Sequence, residues 1–262
     1  EATSGIGYLV AKKYAAKGAD LLCVNRNPKN SEALAKEITS TYKVKCDYFI
    51  ADLSRMKDVD ALVNHLLELQ RPIDVLIHNA GVFLTKKEMT DDGLETVFMV
   101  HYLSSFIINY KLAEKLKSQD NARIIIVNSE GHRFAAWGLR LDDLFFEKRR
   151  YGGMKSYGSA KLAQLLSMLV FDEMFQNSNV RINAMHPGAV KTDTGQENGR
   201  IYKWYKRNIL DKRLKPASIS AEAMYYLGIS PEIENVSGNF FNLTTLEEPT
   251  PPALDREVAQ QL

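Results

Sequence analysis

Short apolar segments recur along this chain, separated by longer segments in which apolar residues follow helical spacing. The apolar segments are 21–24, 44–50, 73–77, 123–127, 180–184 and 239–243. The segments with helical spacing are 5–17, 31–40, 59–67, 94–118, 157–176 and 217–228. Strands that are apolar throughout are buried on both faces, which is typical of a parallel sheet covered by helices. The alternation therefore predicts an α/β fold, a doubly wound and mostly parallel sheet with helices on both faces.

Composition agrees with one globular domain over residues 1–262. Hydrophobic residues make up 45% of the sequence and charged residues 25%, as in ordinary globular proteins. The net charge of +2 is too small to indicate nucleic acid as a partner. No apolar run approaches the ~18 residues of a membrane span. Cys23 and Cys46 both fall in predicted strands. We expect reduced core thiols rather than a disulfide, and hence a cytoplasmic protein.

A glycine turn opens the first helical segment. Gly5, Ile6 and Gly7 precede a helical pattern that ends near Lys17. Glycines let a backbone approach a pyrophosphate, and a helix N-terminus offers free N–H groups, although a plain helix start has the same pattern. The strand expected before this turn is absent, since the sequence starts at Glu1. We expect the sequence to begin inside a longer chain; a true deletion would predict a poorly stable protein.

The end of the first predicted strand bears on cofactor choice. An NAD-binding site usually has an acidic residue here, which accepts hydrogen bonds from the ribose hydroxyl. This chain has Asn25 and Arg26 instead. An arginine suits a 2′-phosphate through its charge and fork geometry. Given a dinucleotide site, the pair favours NADP(H) over NAD(H), while a surface arginine after a strand is the plainer interpretation.

A tyrosine and a lysine lie four residues apart in the segment 157–176. Tyr157 and Lys161 therefore share one helical face. An ammonium close to a phenol favours the phenolate, which makes the tyrosine a candidate proton donor or acceptor near neutral pH. This spacing also arises by chance, so the pair needs the rest of a site around it.

Several motifs together resemble the short-chain dehydrogenase/reductase family, in particular its retinol dehydrogenase-like branch. The matching segments start at Ala2-Thr3-Ser4-Gly5-Ile6-Gly7 and extend to Gly238. They include Asp52-Leu53, His78-Asn79-Ala80-Gly81, Asp92-Gly93-Leu94-Glu95, Val127-Asn128-Ser129, Tyr157-Gly158-Ser159-Ala160-Lys161-Leu162-Ala163 and His186-Pro187-Gly188-Ala189-Val190-Lys191-Thr192. Each motif is modest alone, and their order and spacing are specific. The resemblance implies a Rossmann-like fold.

The resemblance also implies residue roles. Ser129 would hydrogen-bond a substrate carbonyl, Tyr157 would exchange its proton, and Lys161 would bind the nicotinamide ribose and tune Tyr157. The remaining cofactor-binding residues would be Ser4, Gly5, Ile6, Gly7, Asn25, Arg26, Asp52, Leu53, Asn79, Ala80, Gly81, Pro187, Gly188, Val190 and Thr192. The implied activity is hydride transfer between NADP(H) and an apolar aldehyde, ketone or alcohol. No metal site is expected.

One position departs from the family pattern. His101 stands where the family usually has an asparagine, which is thought to hold a water that links Lys161 to bulk solvent. A neutral histidine can also hold a water, or it can pack in the helix and leave the relay broken. If the relay is impaired, His101→Asn should raise turnover. His101 also supports an alternative function, a cofactor-binding protein with weak or no turnover.

The segment 193–215 is the expected substrate lid. It is strongly basic, and Ile201, Trp204, Tyr205 and Ile209 share one helical face. An amphipathic lid packed on its own domain is favoured over contact with an anionic membrane surface. By the resemblance, the partners would be a small apolar substrate and a second copy of the chain, paired through helices near 101–118 and 157–176.

Overall fold

The computed structural model describes residues 1–189, 198 and 216–262. The strands are β1 (Leu21–Asn25), β2 (Cys46–Ile50), β3 (Val75–His78), β4 (Ala122–Val127), β5 (Val180–His186), β6 (Phe240–Asn242) and β7 (Thr245–Glu247). The longer helices are α1 (Gly5–Ala16), α2 (Pro28–Tyr42), α3 (Met56–Glu68), α5 (Ser104–Lys117), α6 (Gly153–Met174) and α7 (Ser218–Ile229). Shorter ones are α4 (Thr96–Phe98) and α8 (Arg256–Gln261).

The strands form two sheets. β1 pairs in parallel with β2. In the second sheet the order is β3-β4-β5-β6-β7, parallel throughout except for the antiparallel β7 at its edge. The predicted α/β class is therefore confirmed.

Helices cover both faces of the larger sheet. On one face α3, α5 and α6 pack over the apolar residues of β4 and β5, among them Ile124, Ile126 and Ile182. On the other face α1 and α7 pack over Ile125 and Met185. Alternate residues of each strand point to opposite faces, so both apolar sets are used.

A slot separates β1 from β3. Side chains of α1, β1 and β3 line this cavity of about 600 Å³, and His101 and Gln164 also line it. The slot lies where the fold expected from the sequence would place a strand before the glycine turn. Ala2 N–H donates to Asn25 Oδ1 at 2.7 Å, and Asn79 Nδ2 donates to the Glu1 carbonyl at 3.0 Å, so the first two residues join the ends of β1 and β3.

Several element boundaries differ from the sequence expectations. The helix expected over 94–118 is interrupted, because a π-helical turn, Met99–Leu103, lies between α4 and α5. The tail beyond Glu247 ends in α8, which packs against α6. Within the described residues, no helix is both long enough and apolar enough to cross a membrane. The expected lid, 193–215, lies outside the described residues except for Asn198.

Candidate active site

The helix α6 presents Tyr157 and Lys161 one turn apart on its buried side. Gly158 lets this helix approach the loop after β4, since a Cβ at Gly158 would lie 2.9 Å from the Gly131 carbonyl oxygen. Phe83 and His101 contact the Tyr157 ring edge-to-face at centroid distances of 5.8 and 5.3 Å. The predicted helical face therefore forms, and neighbouring rings fix the tyrosine.

Ser129 reaches the same place from the end of β4. It caps the 3₁₀ turn Glu130–Ala135, and its Oγ accepts a hydrogen bond from the Gly131 N–H at 2.9 Å. A Cβ at Gly131 would lie 2.6 Å from Tyr157 Cε1 and 3.2 Å from Ser129 Oγ. Gly131 thus lies against both the Tyr157 ring and the Ser129 hydroxyl, and a side chain at this position would collide with the ring.

Lys161 is buried beside Tyr157. Its Nζ donates to the Val127 carbonyl at 2.8 Å and lies 5.7 Å from the centroid of the Tyr157 ring. Only 3% of the residue is exposed, and this burial lowers the pKa of the ammonium from 10.5 to about 7. A neutral and a charged form are therefore both accessible near pH 7.

His101 lies in the π-helical turn and packs against Gly81. A Cβ at Gly81 would lie 2.4 Å from His101 Cε1, so only glycine fits there without movement. His101 Nε2 lies 2.8 Å from the Val82 carbonyl oxygen and 3.1 Å from the Val82 nitrogen. Burial first, then the nearby Lys161 charge, holds the pKa of His101 well below its usual range, so the ring is neutral. Nδ1 has no hydrogen-bond partner in the described part of the chain.

Two buried amides, Gln164 and Asn128, complete the surroundings of Lys161. Asn128 belongs to a motif quoted from the sequence but was given no role there, and Gln164 was not singled out. Gln164 Oε1 accepts from Lys161 Nζ at 3.2 Å and from Asn128 Nδ2 at 3.1 Å. Asn128 Nδ2 also donates to the Lys161 carbonyl at 2.9 Å. A glutamine three residues after the lysine, on the same helical face, was the only available signal in the sequence.

The glycine turn lies at the N-terminus of α1 and faces Asn79. Gly5 has a φ of +56°, which favours glycine. A Cβ at Gly7 would lie 2.8 Å from Asn79 Nδ2 and 1.9 Å from the Glu1 carbonyl oxygen. Ser4 is the N-cap residue of α1, and its side chain makes no capping bond. This turn has the close backbone approach and the free first-turn N–H groups that a pyrophosphate needs.

The predicted adenosine-side residues line the ends of β1 and β2. Asn25 is buried and its side chain binds Ala2 rather than facing solvent, whereas Arg26 is exposed and pairs with the Glu1 carboxylate at 3.2 Å. Asp52 Oδ1 accepts from the backbone and hydroxyl of Ser54 at 2.9 and 2.7 Å. Leu53 lines the slot. Of these residues, Arg26 presents a guanidinium that an anion can reach.

The predicted nicotinamide-side residues follow β5. Pro187 accepts a hydrogen bond from the Ser220 hydroxyl through its carbonyl, and Gly188 adopts a left-handed φ of +83°. Ala80 follows Asn79 at the end of β3. Val190 and Thr192 lie outside the described residues. The described members therefore gather at the carboxyl ends of β3, β4 and β5, where parallel sheets bind ligands.

Comparisons with known proteins agree with this arrangement. A family model described as short chain dehydrogenase matches residues 2–138. Human retinol dehydrogenase 13 is 31% identical over 268 residues, which cover 100% of this chain and 80% of that protein. The Brassica napus protein named short-chain dehydrogenase TIC 32 A, chloroplastic, is 28% identical over 270 residues, 99% of this chain and 83% of its own.

A solved structure extends the likeness to the fold. The short-chain dehydrogenase from Sphingobium yanoikuyae in complex with NADPH superposes with a TM-score of 0.67 at 22% identity, over 86% of this chain and 80% of that chain.

Proposed function

Because this chain belongs to the short-chain dehydrogenase family, and is retinol dehydrogenase-like, we propose that it transfers a hydride between NADP(H) and an apolar aldehyde, ketone or alcohol. The observation that carries the proposal is the approach of Ser129 and Tyr157 around Gly131, with the buried Lys161 ammonium behind the tyrosine. Two hydroxyl donors and a cation at one point suit an oxygen on which negative charge develops.

The chain's own residues divide the proton chemistry. Ser129 and Tyr157 donate hydrogen bonds to the substrate oxygen as charge grows on it, and Tyr157 then gives up its proton. Lys161 stabilises the phenolate that remains. In the reverse direction the phenolate accepts the proton from the alcohol. A bound nicotinamide would supply or accept the hydride at the substrate carbon.

The residues present fit a dinucleotide. The α1 N-terminus and the close approach at Gly7 would hold the pyrophosphate, and Asp52 and Leu53 would lie beside the adenine. Asn79, Ala80 and Gly81 would line the middle of the cofactor, and Pro187, Gly188, Val190 and Thr192 its nicotinamide end. These assignments rest on the family resemblance and on the grouping of the described members at one edge of the sheet.

The proposed preference for NADP(H) over NAD(H) rests on Arg26. Its guanidinium is exposed at the end of β1, where it pairs with the carboxylate of Glu1. An exposed ion pair contributes little to stability, so a 2′-phosphate could replace the carboxylate at small cost. The Sphingobium yanoikuyae dehydrogenase is a complex with NADPH, which is in keeping with this preference.

The apolar substrate class is supported by one aromatic side chain against the tyrosine and by two on the loop after Ser129. Phe83 contacts the Tyr157 ring, and Phe134 and Trp137 follow in the loop after Ser129, where Trp137 is 99% exposed. Apolar surface of this kind suits a hydrocarbon chain better than a polar metabolite. The name of human retinol dehydrogenase 13 points the same way.

NADPH oxidation with a panel of aliphatic and aromatic aldehydes and ketones tests the proposal. We expect turnover by the wild-type protein and a loss of at least a hundredfold in Tyr157→Phe. Thermal stabilisation by NADPH should survive in the variant, because the phenol ring is kept. We also expect NADPH to stabilise the protein more than NADH does, and Arg26→Ala to remove that difference.

A second candidate function is cofactor binding with weak or no turnover. Two observations on His101 favour it. The His101 side chain is hydrogen-bonded to the Val82 backbone, and the His101 carbonyl accepts hydrogen bonds from the side chains of Gln164 and Ser105. Stabilisation by NADPH without oxidation of NADPH across the whole panel would support this function and contradict the enzyme. No stabilisation by either dinucleotide would contradict both.

Location and assembly are part of the proposal. Two buried free thiols, Cys23 and Cys46, support a reducing compartment such as the cytoplasm. Exposed Tyr110 on α5 supports a second copy of the chain at that helix. Contact of the segment 193–215 with a membrane stays a less favoured hypothesis.

A further inference from the structure

A glutamine bridges the active-site lysine and the π-helical turn. Gln164 is 1% exposed. Its Nε2 donates to the His101 carbonyl at 2.7 Å, while its Oε1 accepts from Lys161 Nζ at 3.2 Å. An ammonium only donates and a carbonyl only accepts, so these two partners fix the orientation of the amide.

The bridge uses up the hydrogen-bonding capacity of the His101 carbonyl. That oxygen also accepts from the Ser105 hydroxyl at 3.0 Å, and a carbonyl oxygen has two lone pairs. The amide of Gln164 therefore connects the lysine directly to the π-helical turn. Asn128 holds the other side of the amide oxygen at 3.1 Å, so the glutamine has no freedom to turn away.

We propose that Gln164 is a positioning residue for hydride transfer, which holds the Lys161 ammonium behind Tyr157 by bridging it to the His101 carbonyl. This inference rests on the proposed function.

The acceptor on Gln164 matters because the ammonium has few others. Val127 and Gln164 are the acceptors of Nζ in the described part of the chain. The titratable groups around it there are Tyr157 on the same helix, His101 on the π-helical turn and His186 at the end of β5. Burial lowers the pKa of both histidines, so the uncharged amide oxygen is one of two groups that stabilise the charge.

Two near-isosteric substitutions with opposite electrostatic effects test the proposal. In Gln164→Met the ammonium loses an acceptor, and in Gln164→Glu it gains an opposite charge. The lysine carbons of protein labelled with carbon-13 lysine are titrated by NMR, and the Lys161 signal is identified by its loss in Lys161→Met. We expect the Lys161 midpoint to fall by roughly one pH unit in Gln164→Met and to rise by at least as much in Gln164→Glu.

Turnover supplies the second measurement. With NADPH and nonanal, kcat of Gln164→Met should fall roughly tenfold while KM changes less than twofold. Ser167→Ala is the matched control, because Ser167 lies one turn further along α6 and bonds only to the Gln164 backbone carbonyl in the described residues.

The possible results separate the two proposals. If the Lys161 titration midpoint is unchanged in both Gln164 variants, or shifts in the same direction in both, the proposed role of Gln164 is wrong. Opposite shifts in a wild-type background that oxidises no NADPH would support the bridge and contradict the enzyme.

Discussion

Gly81 and His101 share one small space beside Tyr157. A Cβ at Gly81 would lie 2.4 Å from His101 Cε1, and the His101 ring contacts the Tyr157 ring at 5.3 Å. A substitution at either position therefore alters the packing around the Tyr157 ring. The departure from the family pattern at His101 is accommodated sterically because residue 81 has no side chain.

Gly81→Ala should destabilise the protein, by about 1–3 kcal/mol, because the added methyl overpacks the site. In a His101→Asn background the same change should cost much less, since asparagine has no ring to meet the methyl. Urea unfolding of the two single variants and the double variant gives the coupling energy. Equal costs in both backgrounds would show that the contact between Gly81 and His101 is not responsible.

Single residues also mark the limit of sequence reasoning. The proximity of Ser129, Tyr157 and Lys161 was predictable, because residue types, spacing and the resemblance group them, while their roles stay predictions. Gln164 was not. Its partner is the backbone carbonyl of His101 in the π-helical turn. No pattern in the sequence predicts which carbonyl of that turn faces α6.

At the scale of elements, the carboxylate of Asp143 organises the loop before α6. It accepts hydrogen bonds from the backbone N–H groups of Glu147, Lys148 and Arg149 at 2.7–3.1 Å and from Arg149 Nε at 2.9 Å. Burial raises the pKa of Asp143, but the hydrogen bonds from Lys148 and Arg149 outweigh it and hold the pKa well below its usual range. The ionised form is the one that this loop binds.

Asp143→Asn should therefore destabilise the protein at pH 7. A carboxyl whose pKa is depressed on folding stabilises fully above its unfolded pKa of about 4, and this contribution is lost as the pH falls below that value. The difference between wild type and variant should shrink from pH 4 downward in urea unfolding. The exposed neighbour Asp142 is the control. Asp142→Asn should change the free energy of unfolding little, both at pH 7 and below pH 4. A difference between wild type and Asp143→Asn that is constant with pH would contradict the role of the charge.

The helix expected over 94–118 shows what periodicity cannot reveal. Its apolar residues keep helical spacing across the π-helical turn Met99–Leu103, so the sequence predicts one continuous helix. The extra residue in that turn is stabilised by tertiary contacts, Nε2 of His101 with Val82 and the His101 carbonyl with Gln164. Such turns depend on partners distant in sequence.

For the molecule as a whole, the sequence predicts most of the strands but not how they divide between two sheets. Six apolar segments can be read from the sequence, but the lateral order of the strands that they form cannot. The structure places the gap between β1 and β3, and the β1–β2 pair is held by α1 and α2 through Ala15, Cys23 and Ile38. No ladder of strand hydrogen bonds crosses the slot in the described residues.

We expect the two sheets to differ in local stability. Amides of β1 and β2 should exchange with solvent faster than those of β4, because a cavity flanks them and fewer apolar contacts resist their opening. Hydrogen exchange followed by mass spectrometry measures this, with the buried residues Ile124–Ile126 of β4 as the internal reference. Equal protection of β1 and β4 would show that the molecule opens as one cooperative unit.

The slot leaves two strand edges facing one cavity. β1 and β3 each use one edge for pairing, so each leaves its other edge without a strand partner in the described residues, and both strands line the same cavity. In the described residues, the covering helices and the contacts of the first two residues with Asn25 and Asn79 therefore connect the two sheets where a strand ladder does not. A shift of β1 would reach the candidate site at the end of β3 through these side-chain and terminal contacts.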